Sequence, residues 1–430
     1  MFVHVVKSGE TLFSIANRYG GTAERIRAAN DLQGDQLIPG MSLLIPAGPR
    51  STLEPYKIRE GDTLDTISGQ LGVPPHIIQA VNERLDEQNL VAGETIWLPV
   101  PLRAEKTIDV NAFMIPTGGG IDQEILLDAA DCLTYLSVFH RSVNPDGTLS
   151  DIPDDKLIDW VKAEHVAPLL TVTNFEGDRF SPDLAHVILQ DANIRRQTIE
   201  NIVNLAKTKG YQGVNIDFEH LHPEERDSFN CFVRELAEAS ASEGLPITVT
   251  LGPKTADDPN NPWMGAFDYR TLGGLADRVI LMTFEWGWVG GPPMAVAPLN
   301  MVRRVLDYAT TVIPSDKILM GIALYGYNWP TPYEEGNRAT GISPKAAVEQ
   351  AIRAKGHIHF HAESAAPMFM YRGPRNEMRQ VWFEDARSVL AKFHLVRELE
   401  LGGISYWMLG NPFPQNWTLL HSTFQIRKPD

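Results

Sequence analysis

Gly213-Val214-Asn215-Ile216-Asp217-Phe218-Glu219 is the stretch whose reading decides the fold. Apolar Val214, Ile216 and Phe218 alternate with polar Asn215, Asp217 and Glu219. Side chains on a strand repeat every two residues, so one amide and two acids share a face. Buried carboxylates persist only when paired, hydrogen-bonded or protonated. A strand of this kind reads as the wall of a site, with its apolar face packed outward.

The segments around it extend that reading. Further apolar runs lie at 110–116, 135–140, 167–174, 246–253, 278–286, 319–328 and 402–408. Stretches such as 191–208, 223–242 and 298–311 have helical composition and spacing. Strands alternating with helices over this length predict an α/β fold, a (β/α)8 TIM barrel. In that fold the chemistry sits at the C-terminal ends of the strands. Glu219 falls there on the fourth strand, Glu285 and Trp286 on the sixth, Tyr406 and Trp407 on the eighth. Between strands seven and eight, short alternating runs at 357–361, 368–371 and 379–382 predict a small α+β insertion. The stretch 383–399 reads as the seventh barrel helix.

The front of the chain repeats itself. Lys7-Ser8-Gly9-Glu10-Thr11-Leu12-Phe13-Ser14-Ile15 returns as Arg59-Glu60-Gly61-Asp62-Thr63-Leu64-Asp65-Thr66-Ile67. Gly20, Ile26 and Asn30 return as Gly72, Ile78 and Asn82; Gly40 and Pro46 return as Gly93 and Pro99. Each copy predicts two short helices and a closing strand, at 42–45 and 95–98. Thr11 and Thr63 suit helix N-caps, and Gly20 and Gly72 suit helix ends. Linkers at 47–55 and 100–106 then give domains at 1–47, 54–100 and 107–430.

Bulk properties exclude several classes. The 430 residues are 43% hydrophobic, ample for a core, and carry a net charge of −16, which opposes a nucleic-acid partner. The two cysteines, Cys132 and Cys231, are too few for a disulfide framework or a cysteine zinc site, and read as core. No apolar run reaches membrane-span length, so no membrane partner is expected. The N-terminal residues show neither a basic n-region nor an apolar h-region, so no signal peptide is expected.

The strand suits glycosidic cleavage, which needs one acid to protonate the leaving oxygen and a group to stabilise charge at the anomeric carbon. Two carboxyls so close keep one protonated near neutral pH. Glu219 would be that donor and Asp217, one pleat deeper, its ionised or switching partner. Trp407 would floor a sugar site, with Tyr325, Tyr327 or Trp329 in the next subsite. Ordinary barrel packing explains Tyr325 and Tyr327 equally well.

The two repeats resemble LysM modules. The carrying residues are Gly-[Glu/Asp]-Thr-Leu at Gly9 and Gly61, Ile15 and Ile67, Asn30 and Asn82, and the Pro-Gly…Ile-Pro and Ala-Gly…Leu-Pro exits. The resemblance implies binding of N-acetylglucosamine-containing glycans such as peptidoglycan and chitin. It points to Gly9, Thr11 and Asn30, and to Gly61, Thr63 and Asn82, in the groove-forming loops. Such modules would tether an enzyme by raising local concentration; unliganded spacers are the alternative.

The long domain is similar to glycoside hydrolase family 18. The matching motifs are Gln212–Glu219 against the Asp-x-x-Asp-x-Asp-x-Glu signature, Met282-Thr283-Phe284-Glu285, Gly321-Ile322-Ala323-Leu324-Tyr325-Gly326 and Gly402-Gly403-Ile404-Ser405-Tyr406-Trp407. The resemblance implies substrate-assisted, retaining hydrolysis that needs no metal or organic cofactor. Glu219 is then the proton donor and later the base, and Asp217 orients the 2-acetamido group. Asn215 is expected to hydrogen-bond Asp217, and Met282, Phe284, Glu285, Tyr325, Tyr327 and Trp407 to bind substrate. Gln212 and Asn215 replace two signature acids, and Phe284-Glu285 replaces Tyr-Asp. The lost phenol leaves Tyr325 or Tyr327 to supply a donor, with Glu285 reaching further than Asp. Together with the repeats, the domain resembles the branch of spore cortex-fragment-lytic N-acetylglucosaminidases. That implies peptidoglycan as partner, action at germination and a location in the spore. A chitin-oligomer hydrolase and a non-catalytic glycan-binding barrel are the alternatives; the presence of Asp217 and Glu219 argues against the last.

Overall fold

In the computed structural model the described residues are 2–46, 51–71, 75–82, 85, 90–101 and 106–429. The expected helix end at Gly72 and parts of both linkers (47–50 and 102–105) lie outside them. None of the described helices is long and apolar enough to cross a membrane.

Eight parallel strands form the barrel: β1 (Thr107–Met114), β2 (Tyr135–Ser142), β3 (Ala167–Thr173), β4 (Val214–Asp217), β5 (Ile247–Leu251), β6 (Arg278–Leu281), β7 (Ile318–Ala323) and β8 (Gly403–Trp407). β8 pairs with β1, Gly403 opposite Asp109 and Tyr406 opposite Ala112, which closes the sheet. At the far end from the site, Asp109 accepts Arg278 Nε and Arg427 Nε, each at 2.6 Å.

The period-two pattern of β4 does what it predicts. Val214, Ile216 and Phe218 are fully buried in the layer between sheet and helices. Phe218 stacks on Phe229 at 6.1 Å and Phe232 at 5.5 Å, both on the helix Arg226–Ala241. The preceding helix, Ala192–Lys209, is set by Asp191, whose carboxylate accepts from the N–H groups of Asn193 and Ile194. Gly210, at φ 76°, ends it in the left-handed conformation that favours glycine.

Two expected strands are shorter than their sequence pattern. β6 stops at Leu281, where Thr283 N–H turns back to the Leu281 carbonyl and Thr283 Oγ1 donates to Gly321 O at 2.7 Å. β7 stops at Ala323 although alternation continues to Asn328. Gly326 runs so close to Trp382 that a Cβ would lie 2.2 Å from the Trp382 carbonyl oxygen. The chain therefore leaves the barrel, and Gly326–Thr331 joins the insertion. The insertion is accordingly larger than expected. Its five-stranded antiparallel sheet runs Thr340–Ile342, Gly326–Thr331, Met378–Trp382, Ala366–Arg372, His359–His361, flanked by the helix Pro344–Arg353.

Each repeat is a βααβ unit. The first comprises Phe2–Val5, Leu12–Tyr19, Ala23–Ala29 and Ser42–Ile45; the second comprises Ser51–Lys57, Leu64–Leu71, Pro75–Val81 and Thr95–Pro101. Thr11 and Ser14 form a reciprocal capping box, and Gly20 ends the first helix at φ 66°. The second unit has its own small core around Ile67, Ile78 and Ile96. The first does not stand alone. Leu12, Ile15 and Ile26 share one cluster with Ala347, Ala351, Ile358, Phe369, Val381 and Phe383 of the large domain. Polar contacts close the seam: Arg387 Nη2 donates to Gly40 O at 3.0 Å, Ile358 N to Pro39 O at 3.1 Å, and Gln415 Nε2 to Asn30 Oδ1 at 2.6 Å. The picture of two pendant tethers is thus corrected for the first unit, which is welded to the barrel.

Candidate active site

β4 delivers Asn215 and Asp217 to the barrel interior, both buried, and Glu219 follows at the mouth, half-buried. Asn174, at the end of β3, fixes the Glu219 backbone from both sides. Its Oδ1 accepts Glu219 N–H at 2.9 Å and its Nδ2 donates to Glu219 O at 2.8 Å. Asn215 Oδ1 accepts from Thr250 Oγ1 at 3.1 Å. The expected Asn215–Asp217 hydrogen bond is absent. Asn215 Nδ2 and Asp217 Oδ1 are both buried without a hydrogen-bond partner among the described residues. An orphaned buried group costs about 1–3 kcal/mol, a cost a ligand amide or hydroxyl relieves.

Burial holds the Asp217 carboxyl up at about 7. The Glu219 carboxyl lies well above the usual carboxylate range, first through burial, then through the charges of Asp217 and Glu285. Both shifts favour the protonated form of these buried acids.

Glu285 sits just past β6 at φ 66°, a left-handed conformation that turns its carboxylate across the mouth. It accepts from the phenol of Tyr325, and from that of Tyr327 at 3.0 Å. Burial raises the Glu285 carboxyl, and the two phenols oppose that rise. Trp407 ends β8 with its ring 4.8 Å from Phe139 and 5.3 Å from Phe113. Glu285, Tyr325, Tyr327 and Trp407 line one cavity of about 280 Å³, completed by residues 341–343, Met408 and Asn411.

The remaining sequence candidates divide. Met282 and Phe284 are half-buried beside this cavity without lining it. Phe284 packs over Gly321, where a Cβ would lie 2.8 Å from its ring. Trp329 is corrected: it is fully buried in the insertion, its indole N–H bound to Gly291 O. Tyr406 likewise faces outward, buried against Trp417 and bonded to Asn416. In the repeats, Asn30 and Asn82 spend their amides internally. Each donates to a helix carbonyl, Ile26 or Ile78, and exchanges two bonds with the closing strand at Leu44 or Trp97. They shape the repeats rather than offer an amide to sugar. Thr11 and Thr63 cap helices, while Gly9 and Gly61, at φ 84° and 87°, form open turns.

Sequence reasoning missed Asn174 and a row of rings on the opposite rim. His140, Phe175, Phe180, His220 and Trp263 follow one another at centroid spacings of 4.8, 5.1, 6.3 and 5.3 Å. Burial lowers both imidazoles, so they stay neutral near pH 7. Asn174 ending the Thr171-Val172-Thr173 run was a legible signal. The ring row joins β2 to the segments after β3, β4 and β5 and had none.

Three comparisons bear on this site. The description "Glycosyl hydrolases family 18" matches residues 156–411, and "LysM domain" matches 4–46 and 56–99. The chain is 37% identical to the cortical fragment-lytic enzyme of Bacillus subtilis (strain 168), covering 87% of this chain and 98% of that one. It is 34% identical to the putative sporulation-specific glycosylase YdhD of the same organism, over 100% of both. The solved spore cortex-lytic enzyme SleL of Bacillus megaterium QM B1551 superposes with a TM-score of 0.87 at 35% identity, over 100% of this chain and 99% of that one.

Proposed function

The chain belongs to glycosyl hydrolases family 18, and from that membership we propose that it cleaves spore cortex peptidoglycan or its fragments as an N-acetylglucosaminidase. It acts at the spore, where its relatives' names place them. The observation that carries the reading is Glu219 at the barrel mouth above the buried Asp217, its carboxyl pushed well above the usual range by burial and by the charges of Asp217 and Glu285, on the rim that also carries Trp407.

Glu219 gives its proton to the glycosidic oxygen as the bond to the anomeric carbon breaks. The carbonyl oxygen of the substrate's own 2-acetamido group forms the new bond to that carbon, giving an oxazolinium ion. Asp217, in its ionised form, accepts a hydrogen bond from the acetamido N–H, orients that group and balances the positive charge. Glu219 then takes a proton from water, whose oxygen opens the ring and restores the original configuration. Glu285, braced by Tyr325 and Tyr327, hydrogen-bonds the sugar in place of the missing strand-six phenol. Asn215 Nδ2 supplies a further donor to the substrate.

Glu219→Gln tests the reading. Release of reducing ends from purified cortex fragments is expected to fall by at least about 10²–10⁴-fold, the worth of a general acid. An unchanged rate refutes it. Mass analysis of the new reducing sugar then separates N-acetylglucosamine from muramic acid ends, and chitin oligomers run in parallel separate the cortex reading from a chitinase one.

A further inference from the structure

A second cavity, of about 390 Å³, lies at the seam between the first repeat and the large domain. One wall is the loop 31–36 of the first repeat; the other is the helix Pro344–Arg353 with Phe413 and Gln415. Its volume falls in the range that takes small ligands, about 300–1,000 Å³. The cavity of Glu285 and Trp407 is lined also by 341–343 and by Met408 and Asn411. The seam cavity begins at the next residues along both walls, Pro344–Lys345 and Phe413–Gln415. The two cavities thus draw on neighbouring stretches of the same two segments, which Lys345 N joins by donating to Pro412 O at 3.2 Å.

The chemistry of the seam selects its ligand. Leu32, Met41, Val348, Ile352 and Phe413 give it apolar faces. Every charge on its wall has an opposite partner: Asp31 with Lys345, Glu349 with Arg353, Glu384 with Lys392, Asp385 with Arg387. No net charge is left to hold a phosphate or a carboxylate. Gln36 and the side-chain carbonyls of Gln33 and Gln415, whose N–H groups are turned to Asp31, Asn30 and Ser42, supply the polar rim. Apolar faces, amide edges and balanced charge fit a neutral N-acetylated sugar.

We infer that the seam is a distal subsite, holding a neutral N-acetylhexosamine of the same glycan chain whose scissile bond lies beside Glu219. The inference rests on the proposed hydrolase reading. The first repeat then extends the active-site cleft and sets a minimum chain length for full activity.

Oligomers of N-acetylglucosamine of two to eight units are the probes. Methyl NMR of the Glu219→Gln protein is expected to show shifts at Met41 and Ile352 with long oligomers and none with the dimer. In kinetics, Val348→Trp fills the cavity. The ratio of kcat/KM for long over short purified cortex fragments is expected to fall about tenfold, roughly one sugar contact. Silent Met41 and Ile352 methyls at saturating long oligomer overturn the inference, whether or not Val348→Trp folds. Failure of the wild-type chain to cleave any oligomer or cortex fragment strikes the hydrolase reading instead.

Discussion

Gly40→Ala and Gly93→Ala form a matched pair that measures how firmly the first repeat is joined to the barrel. The two glycines hold the same place in the two repeats, at φ 82° and 96°, and each N–H donates over 2.8 Å within its own unit, to Val6 O or Ile58 O. A methyl on Gly93 meets nothing within 4 Å. One on Gly40 would lie 1.7 Å from the Ile358 carbonyl oxygen and 3.2 Å from the His357 ring. A left-handed backbone costs an L-residue about 1–2 kcal/mol, and both variants bear that equally. Only Gly40→Ala must also force the repeat off the insertion. Doing so breaks the Ile358–Pro39 and Arg387–Gly40 hydrogen bonds, about 1 kcal/mol each. Opening the apolar contact at Ile358 and Phe383 adds about 1–3 kcal/mol. Gly40→Ala is therefore expected to be the less stable by about 3–5 kcal/mol. Denaturant unfolding of both variants beside wild type measures the gap, and trypsin sensitivity of the first repeat reports its release. Equal stabilities within about 1 kcal/mol, with equal trypsin resistance, refute the shared-core reasoning.

Three further outcomes are expected. Because burial raises the Asp217 carboxyl to about 7 in the fold, above its unfolded value, the folded chain binds the extra proton, and stability falls as pH climbs from about 4 to 7. Asp217→Asn should flatten that slope, read as melting temperatures at pH 5 and pH 8; a slope as steep as wild type counts against the assignment. Asn174→Ala leaves the Glu219 N–H and carbonyl without their partner and lets the carboxyl drift, so kcat should drop about 10–100-fold with KM little changed. Steady-state kinetics with a parallel melt decide this, and an unaltered kcat argues against Asn174 as a positioning residue. Phe218→Ala empties the space against Phe229 and Phe232 and should cost about 3–5 kcal/mol in denaturant unfolding, a loss below 1 kcal/mol contradicting the outward packing of β4.

What the sequence made legible was whatever a local period encodes. The alternation through 213–219 placed Asp217 and Glu219 on the inner face, and the strand–helix alternation gave the barrel. The repeat of Thr11 as Thr63 announced two capped helices. Where local pattern and tertiary contact disagree, the pattern misled. Tyr325-Gly326-Tyr327-Asn328 alternates like a strand and is one, but it belongs to the insertion, because Gly326 must slide past Trp382. Asn30 and Asn82 stand at the ends of their second helices, where a ligand-facing amide and an internal strut look alike. The bonds to Leu44 and Trp97 identify the strut. The seam was invisible for a different reason. Nothing in the order of Phe369, Val381 and Phe383 says that their apolar cover comes from residues more than three hundred positions earlier.

That cover has an evolutionary consequence. The second repeat has a core of its own and lends the shared cluster Val81 from its second helix, so recombination can duplicate, drop or exchange it at smaller cost. The first has surrendered that independence. Its removal strips a hydrophobic patch bare on the barrel, and a foreign copy would need to match Ile358 and Gly40 in shape. Lineages with this architecture are expected to vary the number of outer repeats while holding the innermost-docked one fixed in place.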